Sequence, residues 1–319
     1  MFIVVGEALI DLVGQRGGST FVAHAGGSPA NVALGLARLG DPVTLMTRLG
    51  DDAFGRMIRE HLEAAGVVVD SSDDPQFATS LAIASLAAGV ASYDFRIGWD
   101  VGRLDPLPIE TRCLHTGSLA TVLAPGSHAV IDLMRREHER RRVTISYDPN
   151  VRPALMGDVT SARESVEELV ALSDVVKVSD EDLAWLYPGE ADEDVARRWL
   201  SGGPALVVVT RGGDGLYGVT PRQEVRRDAV PIDLVDTVGA GDSFTSGLLD
   251  GLLSAGLIGG EHRRAIAGTD ESTLASILER AATVAAITCS RPGAAPPSRS
   301  ELEAVLTAPV PPGRSPTWK

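Results

Sequence analysis

Five runs rich in β-branched residues alternate along this chain with longer Ala/Leu-rich stretches, and that rhythm limits the folds open to it. The runs are FIVVG (2–6), PVTLMTRLG (42–50), VTISYD (143–148), DVVKVS (174–179) and ALVVVTRG (205–212). Interleaved with them are PANVALGLARLG (29–40), AFGRMIREHLEAAG (53–66), APGSHAVIDLMRREHERR (124–141), SARESVEELVALS (161–173) and DEDVARRWLS (192–201), which read as helices. Strands that are apolar on both faces need cover on both sides, and crossover helices between parallel strands supply it. The expected fold class is therefore α/β, a mostly parallel sheet between two helical layers. Ligands in such folds sit at the C-terminal ends of the strands.

Two segments break the rhythm. Leu12–Gly27 (LVGQRGGSTFVAHAGG) and Thr79–Gly98 (TSLAIASLAAGVASYDFRIG) have glycine turns and no helical partner. They predict extended hairpins that form a small β lid beside a discontinuous core of residues 1–11, 28–78 and 99–308. The proline-rich tail, 309–319, is expected to be poorly ordered. SRSELEAVL just before it carries a serine-then-glutamate start signal for a last short helix.

The formal net charge of −14 argues against nucleic acid or an anionic membrane as partner, so an anionic ligand must be held by a local device. The apolar start MFIVVGEALIDLVG lacks a basic leader and is interrupted by Glu7 and Asp11, so it reads as a buried strand and not as an export signal. No apolar stretch reaches membrane-spanning length. Two cysteines, Cys113 and Cys289, make neither a disulfide framework nor a metal cluster, and a reducing cytoplasm is the simplest compartment.

The chemistry concentrates in DTVGAGDSFTSGLLDGLL (236–253). After Asp242 the apolar spacing of Phe244, Leu248, Leu249, Leu252 and Leu253 is helical, so Gly239, Ala240 and Gly241 lie at a helix N-terminus. Free N–H groups there, with side chains removed, suit a phosphate. A carboxylate beside a phosphate is out of place unless it takes the proton of an attacking hydroxyl. An N-cap after a flexible turn is the other reading, and the turn alone does not decide between them. A Walker A lysine is absent, and no GxGxxG follows the first strand.

With GGSPANVALGLARLG (26–40) some two hundred residues earlier, this motif resembles the paired signatures of the PfkB/ribokinase carbohydrate kinases. GDDAFG (50–55), YDPNVRP (147–153), VVTRGGDG (208–215) and CSRPGAAPP (289–297) agree with it. The resemblance covers the chain except the tail. It implies a ribokinase-like three-layer α/β/α core with a β lid, and ATP-dependent transfer of a phosphoryl group to a sugar hydroxyl. Asp242 matches the family's catalytic base, and Gly239, Ala240 and Gly241 its anion hole. Asp11, Gly27 and Asn31 match sugar-contacting positions. Arg96 resembles a lid arginine of bacterial fructokinases, and Asn150 and Arg152 the D-x-N-x-R of fructokinase-like members.

KVSDEDL (177–183) stands where the family has an Asn-x-x-Glu motif that organises Mg2+. Ser179 and Asp182 replace that pair, and Asp182 is the expected metal residue, acting through water. Thr210, Gly212 and Gly215 match a nucleotide-side turn, and the adenine is expected near the helix of RAATVAAITCSRPGA (280–294), where Ala281, Ala282 and Thr283 stand in the region of an Asn that many relatives carry. The loops around Asp236 and CSRPGA resemble a monovalent-cation (K+) site of some relatives. The substrates implied are ATP and a small sugar. GEALIDLVG, YDPNVRP and CSRPGAAPP lean toward fructose and fructose 6-phosphate; 2-keto-3-deoxygluconate and ribose stay open. So does a non-catalytic sugar or nucleotide sensor on the same scaffold. Exposed lid edges make a homodimer through the lid a further expectation. The scattered histidines suggest no competing chemistry; His115 reads as a packed or hydrogen-bonded residue.

Overall fold

Alternation of side chains along β-strands sends successive residues of a buried run to opposite faces. The first strand does this: Phe2 and Val4 join one apolar cluster, Ile3 and Val5 another, on the two sides of the same sheet. The computed structural model describes residues 1–15, 17–71, 76–87 and 90–308; the tail expected to be poorly ordered lies outside them.

Among the described residues the strands are β1 (Phe2–Val5), β2 (Leu9–Gln15), β3 (Phe21–Gly26), β4 (Val43–Thr47), β5 (Val68–Ser71), β6 (Leu81–Ala87) and β7 (Val90–Arg96). They continue with β8 (Cys113–Gly117), β9 (Thr144–Asp148), β10 (Val175–Ser179), β11 (Leu206–Thr210), β12 (Leu216–Val219) and β13 (Glu224–Arg227). Nine of them form one sheet in the order β13-β12-β11-β10-β9-β8-β1-β4-β5. From β11 to β5 every pairing is parallel, whereas β12 and β13 add an antiparallel hairpin at one edge.

Helices Ser28–Arg38, Ala240–Ser254 and Glu271–Cys289 bury their apolar sides in the first cluster. Helices Gly126–Arg140, Val159–Leu172, Asp180–Leu186 and Asp192–Gly202 pack into the second. The last helix, Arg299–Leu306, starts as its sequence signal predicts: Ser298 and Glu301 cap each other's backbone N–H groups.

The two segments outside the alternation meet in one four-stranded sheet, β3-β2-β6-β7. Its hairpins β2–β3 and β6–β7 are antiparallel, and a parallel β2–β6 pairing joins them. β2 begins at Leu9, three residues ahead of the expected start of the lid, because Leu9 and Ile10 already pair with Gly26 and Ala25. Asp52 pins this sheet to the core. Its carboxylate caps the Ala53–Ala64 helix through Gly55 N–H at 2.8 Å and accepts from the Thr79 N–H and hydroxyl, both at 2.8 Å.

Candidate active site

The turn before Asp242 is shaped by two constraints. Gly239 is the N-cap of the Ala240–Ser254 helix with φ +73°, a left-handed conformation that a side chain disfavours. A Cβ there would also stand 2.6 Å from the Ala294 methyl. Asp236 fixes the turn from behind, accepting from Val238 N–H at 3.0 Å and from Gly293 N–H at 2.8 Å. The N–H groups of Val235 and Asp236 in turn reach the Cys289 carbonyl. Gly239, Ala240 and Gly241 remain half-buried and reachable from solvent. The first turn of any helix carries N–H groups without intrahelical acceptors, so this bare turn can hold an anion.

Asp242 follows at the third helical position and retains 8% exposure. Its two carboxylate oxygens accept from Ser28 Oγ at 2.7 Å and Asn31 Nδ2 at 2.9 Å. Burial raises its pKa above the ordinary aspartate value; the Ser28 and Asn31 hydrogen bonds and the Lys177 charge oppose the rise, and Asp148 adds to it. The result is a partly desolvated carboxylate oriented by two donors, an arrangement able to take a proton from a hydroxyl. Asn31, expected against a sugar, thus orients Asp242 directly. Ser28 was missed, although it lies inside the GGSPAN motif.

Gly27 has φ +103°, and a Cβ would fall 2.6 Å from the Glu7 carbonyl. Its glycine is demanded by close passage of the chain over the β1–β2 link. Asp11 is half-buried on β2, with Gly26 leaving room for its carboxylate. Burial pushes its pKa up, His24 and Arg152 draw it down, and Asp242 pushes it up, so these four groups share one space.

Asn150 sits just past β9 in a left-handed conformation (φ +38°), its N–H donating to Asp148 Oδ1 at 3.2 Å. Arg152 is exposed and donates to its own loop, to the Val151 carbonyl at 3.0 Å. Arg96 is also exposed. The register puts it in a row with Leu81, Ile10 and Ala25, while Asp11 shares the neighbouring row with His24, Ala82 and Phe95. Neighbouring rows face opposite sides of a sheet, so Arg96 and Asp11 do not share a face.

Thr210 ends β11 with its hydroxyl 3.4 Å from the Val178 carbonyl. Gly212 (φ +50°) and Gly215 (φ +90°) bend the chain beyond it. Arg211, between Thr210 and Gly212, is held by Asp192 and Glu193. On the helix expected near an adenine, Ala281 and Thr283 are buried, Ala281 close against Gly247, and Ala282 is half-buried. Apolar side chains are instead exposed on the loop before the bare turn: Ile232, Leu234, Val235 and Val238.

Asp182 is buried and closes a capping box with Ser179. Its Oδ1 accepts from Val151 N–H at 3.0 Å and its Oδ2 from Ser179 N–H at 3.4 Å. With both oxygens already on backbone donors, the carboxylate suits an indirect hold on a hydrated ion. Magnesium, which keeps several of its waters, fits that role. Among the described residues no three His, Cys, Asp or Glu side chains form a metal-holding cluster. His115 is a packed residue, as expected: its Nδ1 lies 3.0 Å from Ser146 Oγ, and burial pushes its pKa down to about 4.

The site also holds a lysine that the sequence reading passed over. Lys177 on β10 is buried, its Nζ 3.0 Å from Asp148 Oδ2. A Cβ on Gly241 would come within 2.9 Å of that Nζ.

Residues 1–301 match the sequence pattern of the pfkB family carbohydrate kinases. A fructokinase of Rhizobium leguminosarum bv. trifolii is 34% identical over 287 residues, covering 86% of this chain and 85% of its own. Among solved structures, an ATP-bound fructokinase of Xylella fastidiosa superposes with a TM-score of 0.84 at 27% identity, spanning 96% of this chain and 97% of its own. A double mutant of Vibrio cholerae O395 fructokinase, holding fructose, ADP and a potassium ion, gives 0.78 at 25% identity over 95% and 97% of the two chains. Among the described residues no helix is long and apolar enough to cross a membrane.

Proposed function

Because this chain belongs to the pfkB family of carbohydrate kinases, we propose that it transfers the γ-phosphoryl group of ATP to fructose, giving fructose 6-phosphate. The observation that carries this reading is Asp242, largely buried and held by Ser28 and Asn31 at the mouth of the bare Gly239–Gly241 turn. Asp242 takes the proton of the sugar hydroxyl as the hydroxyl attacks, and the N–H groups of the turn meet the charge on the transferring phosphoryl group.

Asp11 reads sugar hydroxyls from β2, with Asn150 and Arg152 facing it from the end of β9. Thr210, Gly212 and Gly215 border the phosphates of the nucleotide. The base lies toward the C-terminal end of the Glu271–Cys289 helix, where the exposed Leu234, Val235 and Val238 cover it. Mg2+ supplies charge neutralisation on the nucleotide phosphates when bound, and Asp182 holds its waters. The Asp236 loop, tied to Cys289 and Gly293, offers backbone carbonyls to a monovalent cation such as the potassium of the Vibrio enzyme.

The four-stranded sheet acts as the lid that excludes water, a competing acceptor. Exposed Phe21 and Val22 on its edge strand β3 suit pairing with a second copy. Two free cysteines, one of them buried, suit a reducing cytoplasm. A panel of fructose, ribose and 2-keto-3-deoxygluconate in a coupled ADP-release assay tests the substrate. Fructose should give the highest kcat/KM. A preference of roughly ten-fold or more for either rival, about 1.4 kcal/mol in transition-state binding, would overturn the assignment.

A further inference from the structure

Lys177 is a charged side chain with 6% exposure that the mechanism above leaves idle. Burying an ammonium costs several kcal/mol unless it is paired, and Asp148 Oδ2 at 3.0 Å pairs it. One partner explains one of its three N–H donors. The surroundings point to more. A Cβ on Gly241, in the first turn of the Ala240–Ser254 helix, would stand 2.9 Å from its Nζ. Three carboxylates face it: Asp148 from β9, Asp182 from the Asp180–Leu186 helix and Asp242 from the Ala240–Ser254 helix. The neutral imidazole of His115 faces it from β8, and Thr245 Oγ1 lies 3.5 Å from the same Asp148 oxygen. This pocket therefore carries three acids and a single ammonium, at the place where a phosphate has to arrive.

We infer that Lys177 is a positioning residue for phosphoryl transfer: held by Asp148 beside Gly241, its ammonium adds positive charge to the anion-binding turn that leads into Asp242. The inference rests on the kinase reading. It also gives the glycine at 241 a second reason, since a methyl group there would press on an ammonium that Asp148 holds in place. The effect on Asp242 has a definite sign. A nearby cation favours the ionised carboxylate, so removing Lys177 raises the pKa of Asp242. Removing the charge of Asp148 lowers it.

The test measures kcat, KM and the acid limb of kcat against pH for Lys177→Met, Lys177→Arg and Asp148→Asn, with thermal unfolding to establish that each variant is folded. Lys177→Met should lose roughly ten-fold or more in kcat at neutral pH with little change in sugar KM. Its acid limb should move to higher pH. Lys177→Arg should keep the wild-type limb, and Asp148→Asn should move it down. A folded Lys177→Met enzyme with wild-type kcat and acid limb overturns the inference. Should that variant fail to fold, Lys177→Gln takes its place, and a folded Lys177→Gln enzyme with wild-type kcat and acid limb overturns it equally. An inactive wild-type protein would count against the kinase reading itself, so the two failures are distinguishable.

Discussion

Asp242 takes its hydrogen bonds from residues 214 and 211 positions earlier in the chain, Ser28 and Asn31. The two signature motifs are thus halves of one carboxylate site. What each glycine does differs. Gly239 supplies a left-handed N-cap against Ala294, while Gly241 clears space for Lys177. Gly239→Ala must bear a left-handed φ, at about 1–2 kcal/mol, and in addition displace the Ala294 segment. It should lower the midpoint of thermal unfolding by several degrees and reduce kcat more than a comparable loss of stability elsewhere. A variant with unchanged kcat would show that the turn's conformation is dispensable. Asp242 and the bare turn were legible in the sequence because they are contiguous and chemically contradictory. Ser28 and Lys177 were not, because their meaning lies in contacts across the fold, and a lysine in an apolar strand run carries no local mark.

At the scale of elements, buried acids hold segments in place, and this gives stability a pH dependence. Glu7, in the β1–β2 link, is 3% exposed and accepts from Ala120 N–H at 3.0 Å, tying the link to the turn after β8. Burial pushes its pKa up to about 7, against hydrogen bonds from its own backbone, Ser118 and Ala120, and the charge of Arg152. A carboxyl raised in this way binds its proton more tightly folded than unfolded. Its contribution is complete below about pH 4.5 and is lost as pH rises through about 7, a change on the order of 3 kcal/mol. Glu7→Gln keeps the acceptor for Ala120 and removes the charge. The melting temperature of the variant relative to wild type should therefore rise by several degrees between pH 5 and pH 8; a constant difference would contradict this account. Element types were readable where periodicity is long: the five strand runs and the intervening helices recur in the structure. The hairpin β12–β13 was not anticipated, since LYGV and EVRR are short and flanked by polar turns. Lid register was equally hidden. A period of two makes Phe95 and Arg96 equivalent until the partner strand is known, and the pairing gives the Asp11 row to Phe95.

Across the whole molecule, the C-terminal ends of β9, β10 and β11 present Asn150, Asp182 and Thr210 at one edge of the sheet, and the Gly239 turn completes the site. A chain of net charge −14 has no general field to attract ATP. The helix N-terminus, with the buried Lys177 beside it, offers a device for this locally. The alternation and the two departures from it revealed the layered architecture in the sequence, because burial on both faces of a parallel sheet dictates composition. The substrate was less legible, since sugars of similar polarity differ in only a few hydroxyl positions and a handful of side chains is enough to choose among them. The most direct test compares fructose-dependent ADP release by the wild-type protein and by Asp242→Asn, with fructose binding measured in parallel. The account predicts a fall in kcat on the order of 10²–10⁴-fold and a fructose affinity changed by no more than a few-fold. Equal turnover in the two proteins, or negligible turnover in both with fructose still bound, would contradict it.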